Sequence, residues 1–181
     1  MTNKTVFVLT PPVSNRDHCQ GAPSSKVTLV KYGDYQCFNC GLLHTVVKTL
    51  QQQFSNQLCF VFRHFPLTDI HPHAQHAAEA ALAAAKQGKF WQMHDCLFQN
   101  QGALGNGYLV EYAVMQGLEV NQFLQDIAHD VHVERIQQDV VSGIKSGVSK
   151  TPTFFINGVR YGGECEGTAL SAEIAKQIEQ L

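Results

Sequence analysis

Cys37-Phe38-Asn39-Cys40 is the stretch of this sequence whose residue types and spacing most directly specify chemistry. Two intervening residues place both sulfurs on one turn, close enough to bond, so the pair can cycle between dithiol and disulfide. Its position favours that use. Residues 27–32 are β-rich and Gly33-Asp34 follows them. After Cys37 the period changes, with Leu43, Val46, Val47, Leu50 and Phe54 falling on one helical face. Cys37 then lies near the N-cap of a helix, where unpaired N–H groups and the positive end of the helix dipole stabilise a thiolate. The expectation is that Cys37 attacks and Cys40, one turn inside, resolves. The bland alternative is half of a structural zinc site. Zinc takes four ligands, usually from two such pairs, and the sequence has no second Cys-x-x-Cys.

The elements around the pair are readable. Residues 58–62 form a continuous apolar run of strand length, so 27–62 reads as a right-handed parallel βαβ unit. The middle is helical: an alanine-rich stretch over 74–86 after His71-Pro72, a second over 90–98, short helices over 109–115 and 123–128, the latter capped by Asn121, and a longer one from Val133 to near Gly147. The end returns to strands. Residues 153–156 and 159–161 flank Asn157-Gly158, a strong hairpin signal, and Leu170, Ile174 and Ile178 mark a last helix. The first dozen residues read as a short strand and the polar stretch 15–25 as a loop. This order predicts an α/β fold, a mixed central sheet with a helical subdomain inserted.

Composition excludes other classes. With 44% hydrophobic and 15% charged residues the chain is not compositionally disordered. Thirteen basic against fifteen acidic residues, with no basic run, argue against a nucleic-acid partner. No apolar stretch has the length for membrane insertion. The N-terminus lacks the long apolar core of a secretory signal, so the chain as written reads as cytoplasmic; with a leader removed beforehand, the same sequence would be periplasmic or secreted. Of the six cysteines, Cys59 and Cys96 read as buried small hydrophobes. Cys19 and Cys165 sit in loop-like segments, either paired with each other or as thiols. His64, His71, His73 and His76 are read as capping or exposed polar groups, with no metal assigned. Phe90, Trp91 and Phe98 are expected in the core of the helical subdomain.

Three segments, 27–37 (VTLVKYGDYQC), 62–67 (FRHFPL) and 147–158 (GVSKTPTFFING), closely resemble the DsbA-like branch of the thioredoxin superfamily. The resemblance covers about residues 20–180. It implies a thioredoxin fold divided into a first half (1–66), a helical insertion (67–149) and a second half (150–181). It also implies a protein disulfide oxidoreductase: catalytic Cys37 and Cys40, no cofactor beyond the redox-active cysteine pair, protein substrates with cysteines or disulfides, and a redox recycling partner. Thr151-Pro152 is implied to be a cis peptide facing the cysteines, with the residue before the proline offering its backbone to an extended substrate chain. Phe38 and Asn39 join them as substrate-binding candidates.

Two departures from the family stand out. Oxidising members commonly carry proline and then histidine or tyrosine between the cysteines; Phe38-Asn39 offers only a neutral donor, so Cys37 is expected to be less acidic than in the strongest oxidants. Lys31 stands where many relatives place a buried acid. Its bland reading is a side chain that points to solvent or snorkels; its functional one is a modulator of Cys40. Two rival functions remain, a glutathione-dependent DsbA-like transferase or isomerase, against which Cys40 argues, and a non-catalytic zinc- or peptide-binding module.

Overall fold

The computed structural model describes residues 6–22 and 24–180; the signal-sequence reading of 1–5 falls outside them. Along the chain run β1 (His18–Gln20), β2 (Val27–Gly33), α1 (Phe38–Phe54), β3 (Leu58–His64), α2 (Ala74–Lys86), α3 (Phe90–Gln99), α4 (Asn106–Met115), α5 (Val120–Ala128), α6 (Val133–Lys145), β4 (Thr153–Ile156), β5 (Val159–Arg160) and α7 (Gly167–Glu179). Two compact units are present. Among the described residues, one holds 6–22, 24–33, 42–63 and 141–180; the other holds 34–41 and 64–140.

The first unit contains the mixed five-stranded sheet, in the order β1-β3-β2-β4-β5. β3 is buried along its whole length and β2 along all but one residue, which is why both read as unbroken apolar runs. β4 lies antiparallel to β2, with Lys31 opposite Phe154 and Tyr32 opposite Thr153. The Asn157-Gly158 hairpin is present, and both residues have positive φ (48° and 79°), as a type I′ turn requires. Val47, Leu50 and Phe54 of α1 are buried, and α7 packs on β2 with Leu170 and Ile174 buried.

Three expectations are corrected in this unit. The stretch read as a polar loop contains β1, an edge strand antiparallel to β3. Its three residues carry too little pattern to read; the neighbouring strand makes it a strand. Cys19 of β1 is disulfide-bonded to Cys59 of β3. Cys59 is therefore not an isolated buried thiol, and Cys19 does not pair with Cys165. Lys31 does not reach solvent: it is 0% exposed, because its strand is covered on both faces.

A second buried cation organises the start of the chain. Arg63 uses all its N–H groups: Nε and Nη2 clamp the Asp17 carboxylate at 2.8 and 3.0 Å, Nη1 reaches the Pro11 carbonyl and the Tyr32 hydroxyl at 3.0 Å each, and Nη2 also reaches the Pro12 carbonyl at 3.2 Å. Residues 7–9 run along β5, with Val8 bridged to Val159.

The second unit is helical, as expected. Seven alanines of α2, Ala74, Ala77, Ala78, Ala80, Ala81, Ala83 and Ala84, are buried, and their small size lets α3 and α5 pack closely. Phe90 and Phe98 are buried in this core and Trp91 is half-buried. The short helices begin earlier than the apolar spacing implies: α4 at Asn106, and α5 at Val120 with Glu119, not Asn121, at its N-cap. Asn106 and Gly107 carry no apolar signal, and Val120 is set apart from Phe123 by two polar residues.

Candidate functional site

The cysteine motif begins at a tight turn. The Cys37 N–H donates to the Asp34 carbonyl at 3.2 Å, and the Gly41 N–H donates to the Cys37 carbonyl at 3.2 Å. The Cys37 carbonyl thus accepts the first bond of α1, which makes Cys37 its N-cap residue. Cys37 is 7% exposed and Cys40 0%. Both are buried, Cys40 the more completely. Phe38 is 71% exposed and Asn39 is exposed beside it.

Residues that the motif alone does not reveal hold this turn in place. The buried Asp34 carboxylate accepts from the Gln36 N–H at 2.7 Å and the Leu67 N–H at 2.9 Å, and lies 2.7 Å from His71 Nδ1. Gln101 Nε2 donates to the carbonyls of Tyr35 and Cys37, both at 2.8 Å. A Cβ on Gly41 would lie 1.9 Å from the Gln101 side-chain oxygen, so only glycine lets this amide approach. Tyr35 is buried, with its hydroxyl 2.9 Å from His94 Nδ1 and its ring against Phe98 and His64. Burial, and secondarily the Asp95 charge, push the Tyr35 hydroxyl well above its ordinary value, so it stays neutral.

The histidines singled out in the sequence have separate tasks. His71 meets Asp34, His76 meets Asn106 at 2.8 Å, the His73 N–H donates to Gln36, and the His64 N–H donates to Asp139 at 3.1 Å. Cys96 is buried, as expected, and burial pushes its thiol up.

In the sheet unit, the Thr151-Pro152 peptide is cis, as the resemblance implied. Thr151 is buried and Pro152 half-buried at the entry to β4. Pro152 lines a groove of about 440 Å³, shared with Phe7, Lys150, Arg160, Tyr161 and Cys165 among others. Burial raises the Cys165 thiol and the Lys150 ammonium opposes that shift.

A family model described as thioredoxin matches residues 14–179. The chain belongs to the thioredoxin family. Within this family its fold is DsbA-like. BdbD from Bacillus subtilis, in its oxidised form, superposes with a TM-score of 0.86 at 19% identity, covering 97% of this chain and 100% of that one. A thioredoxin-like oxidoreductase from Silicibacter pomeroyi superposes at 0.81 with 25% identity, covering 93% and 95%. In sequence, the chain is 44% identical over 169 residues to a Na(+)/H(+) antiporter NhaA 1 from Salinispora arenicola. That match covers 93% of this thioredoxin-family chain and 26% of the antiporter. The chain therefore spans about a quarter of the length of the curated relatives it matches. Among the described residues, no helix is long and apolar enough to cross a membrane.

Proposed function

We propose that the chain is a thiol–disulfide oxidoreductase exchanging its Cys37/Cys40 couple with cysteines of protein substrates. The observation that carries this reading is Cys37 at the N-cap of α1, marginally exposed, with Cys40 shut inside one turn later. Membership of the thioredoxin family and the oxidoreductase fold match support it.

In the reducing direction, the Cys37 thiolate attacks one sulfur of a substrate disulfide. A Cys37–substrate bond forms, and the other substrate sulfur leaves as a thiolate that takes up a proton. Cys40, deprotonated, then attacks the Cys37 sulfur, releases the remaining substrate thiolate and closes the Cys37–Cys40 bond. Two electrons pass from the pair to the substrate. Oxidation is the same sequence reversed. The electrons reside in the pair, so the scheme calls for no organic cofactor. Following the family, Thr151 and Pro152 receive the substrate backbone, and the exposed Phe38 and Asn39 meet the incoming chain. A redox partner restores the pair after each turnover.

The Cys19–Cys59 bridge supports a compartment in which disulfides persist, hence the periplasmic or secreted alternative. The test of activity is insulin reduction. Cys37→Ser is expected to abolish it, and Cys40→Ser to accumulate a substrate mixed disulfide. Activity surviving Cys37→Ser would refute the assignment. The potential against a glutathione buffer sets direction: about −120 mV marks an oxidant and about −270 mV a thioredoxin-like reductant.

A further inference from the structure

Gln101 lies in the loop between α3 and α4, yet its amide is spent on the backbone of the cysteine turn. Nε2 carries two hydrogens and gives one to the Tyr35 carbonyl and one to the Cys37 carbonyl, at 2.8 Å each. The loop that carries it is tied on both sides. Asn100 Nδ2 donates to the Cys96 carbonyl, the Ala103 N–H to the Asn100 carbonyl, and the Tyr112 hydroxyl to the Ala103 carbonyl, each at 2.8 Å. Gln101 is half-buried between these ties, so its amide is held in place.

The Cys37 carbonyl accepts twice, from the Gly41 N–H within α1 and from Gln101 outside it. A peptide group is planar, so fixing that carbonyl also fixes the Phe38 N–H on its far side, one of the first-turn donors that have no partner within a helix. A capping side chain reaches such donors only while its own backbone stays out of the helical conformation. One nitrogen bridging carbonyls two residues apart holds the backbone there. Gly41 completes the arrangement. A Cβ at this position would overlap the Gln101 amide, whose atoms are the three nearest to it. Glycine weakens a helix relative to alanine, and here it leaves the space that the amide fills.

We infer that Gln101 is a positioning residue: its amide holds Cys37 in the capping conformation from which the first turn of α1 stabilises the thiolate, and Gly41 admits that amide. The inference rests on the oxidoreductase reading for its bearing on exchange. It assigns the acidity of the attacking thiol to a side chain 64 positions away as well as to the helix.

The test uses the full reduced chain and reads Cys37 alone, from the pH dependence of its alkylation by iodoacetamide, located by mass spectrometry. Gln101→Ala should raise the Cys37 midpoint by about one pH unit, the worth of one capping interaction. Gln101→Glu keeps the shape, loses the donor at neutral pH and adds a negative charge beside the turn, so it should raise the midpoint further. Gly41→Ala separates positioning from stability. The added methyl pushes the amide off the two carbonyls while alanine favours the helix, so the midpoint should rise and Tm should hold or rise. A merely structural Gln101 would move Tm and leave the midpoint alone. Gln99→Ala, at an exposed glutamine two residues away, should change neither. In Gln101→Ala the equilibrium with glutathione should move up to about tenfold toward the disulfide, about 30 mV more reducing. A midpoint that stays put in Gln101→Ala or in Gly41→Ala, or a Gly41→Ala rise that comes with a fall in Tm, overturns the inference and leaves the oxidoreductase reading standing. An unaltered protein that exchanges with no disulfide, hydroxyethyl disulfide included, overturns that reading instead; the midpoints still decide what Gln101 does to Cys37.

Discussion

At the scale of single residues, the question is how far the protein favours the Cys37 thiolate. The N-cap position supplies the positive end of α1, and a free cysteine titrates near 8.5. The dipeptide supplies less, since Asn39 brings no charge. The Cys37 midpoint, followed by the ultraviolet absorbance of the thiolate, should lie below that of free cysteine and clearly above about 3.5, the value in the strongest oxidants. Asn39→His should lower it further, because an imidazolium adds a charge that favours the anion. A midpoint near 3.5 in the unaltered protein would remove the argument. Asp34 governs the shape of the turn that presents the thiol. Asp34→Ala leaves the Gln36 and Leu67 N–H groups and His71 without their acceptor, a loss of roughly 2–4 kcal/mol in urea unfolding.

At the scale of elements, α2 carries a buried acid that the cysteine chemistry does not use. Glu79 is buried among alanines, bonded through one oxygen to Gln75, with no hydrogen bond at its other oxygen. Burial raises its pKa; the Gln75 bond and His76 oppose that, and Asp130 adds to it. A carboxyl with a raised folded pKa binds its proton more tightly in the folded state. Its contribution to stability is therefore present below the unfolded pKa and is lost as pH rises through the folded one. Glu79→Gln should raise Tm by roughly 2–4 °C at pH 7 and leave it nearly unchanged near pH 4. An equal shift at both pH values would show that ionisation is not the cause. Elements with strong local signals were legible in the sequence: the strand–motif–helix junction, the alanine helix and the Asn157-Gly158 hairpin. Those defined by distant partners were not. β1 is a strand through β3, Lys31 is buried by the layers over its sheet, and Gln101 meets Tyr35 and Cys37 from more than sixty positions away with a side chain of ordinary type.

At the scale of the whole molecule, two cysteine pairs must coexist with different chemistry. Cys37-Cys40 spans one turn, with Cys37 marginally exposed and Cys40 fully buried. Cys19–Cys59 joins β1 to β3 across forty residues of chain, and Cys59 is buried in a strand covered along its length. Attack on the half-exposed Cys19 sulfur would expel a Cys59 thiolate into apolar surroundings, which burial disfavours. The bridge should accordingly resist the reductant that opens the catalytic pair. It closes a loop whose entropy in the unfolded chain is worth about 4 kcal/mol, so replacing both cysteines by alanine should cost stability of that order. Thiol counting after titration in glutathione buffers and alkylation in denaturant separates the two pairs. With Cys96 and Cys165 always reactive once unfolded, the count should step from two to four as Cys37-Cys40 opens. The step to six should come only at lower potential or once the fold is lost. A single step from two to six at one potential would mean that β3 does not protect its sulfur, and that both pairs answer to the same reductant.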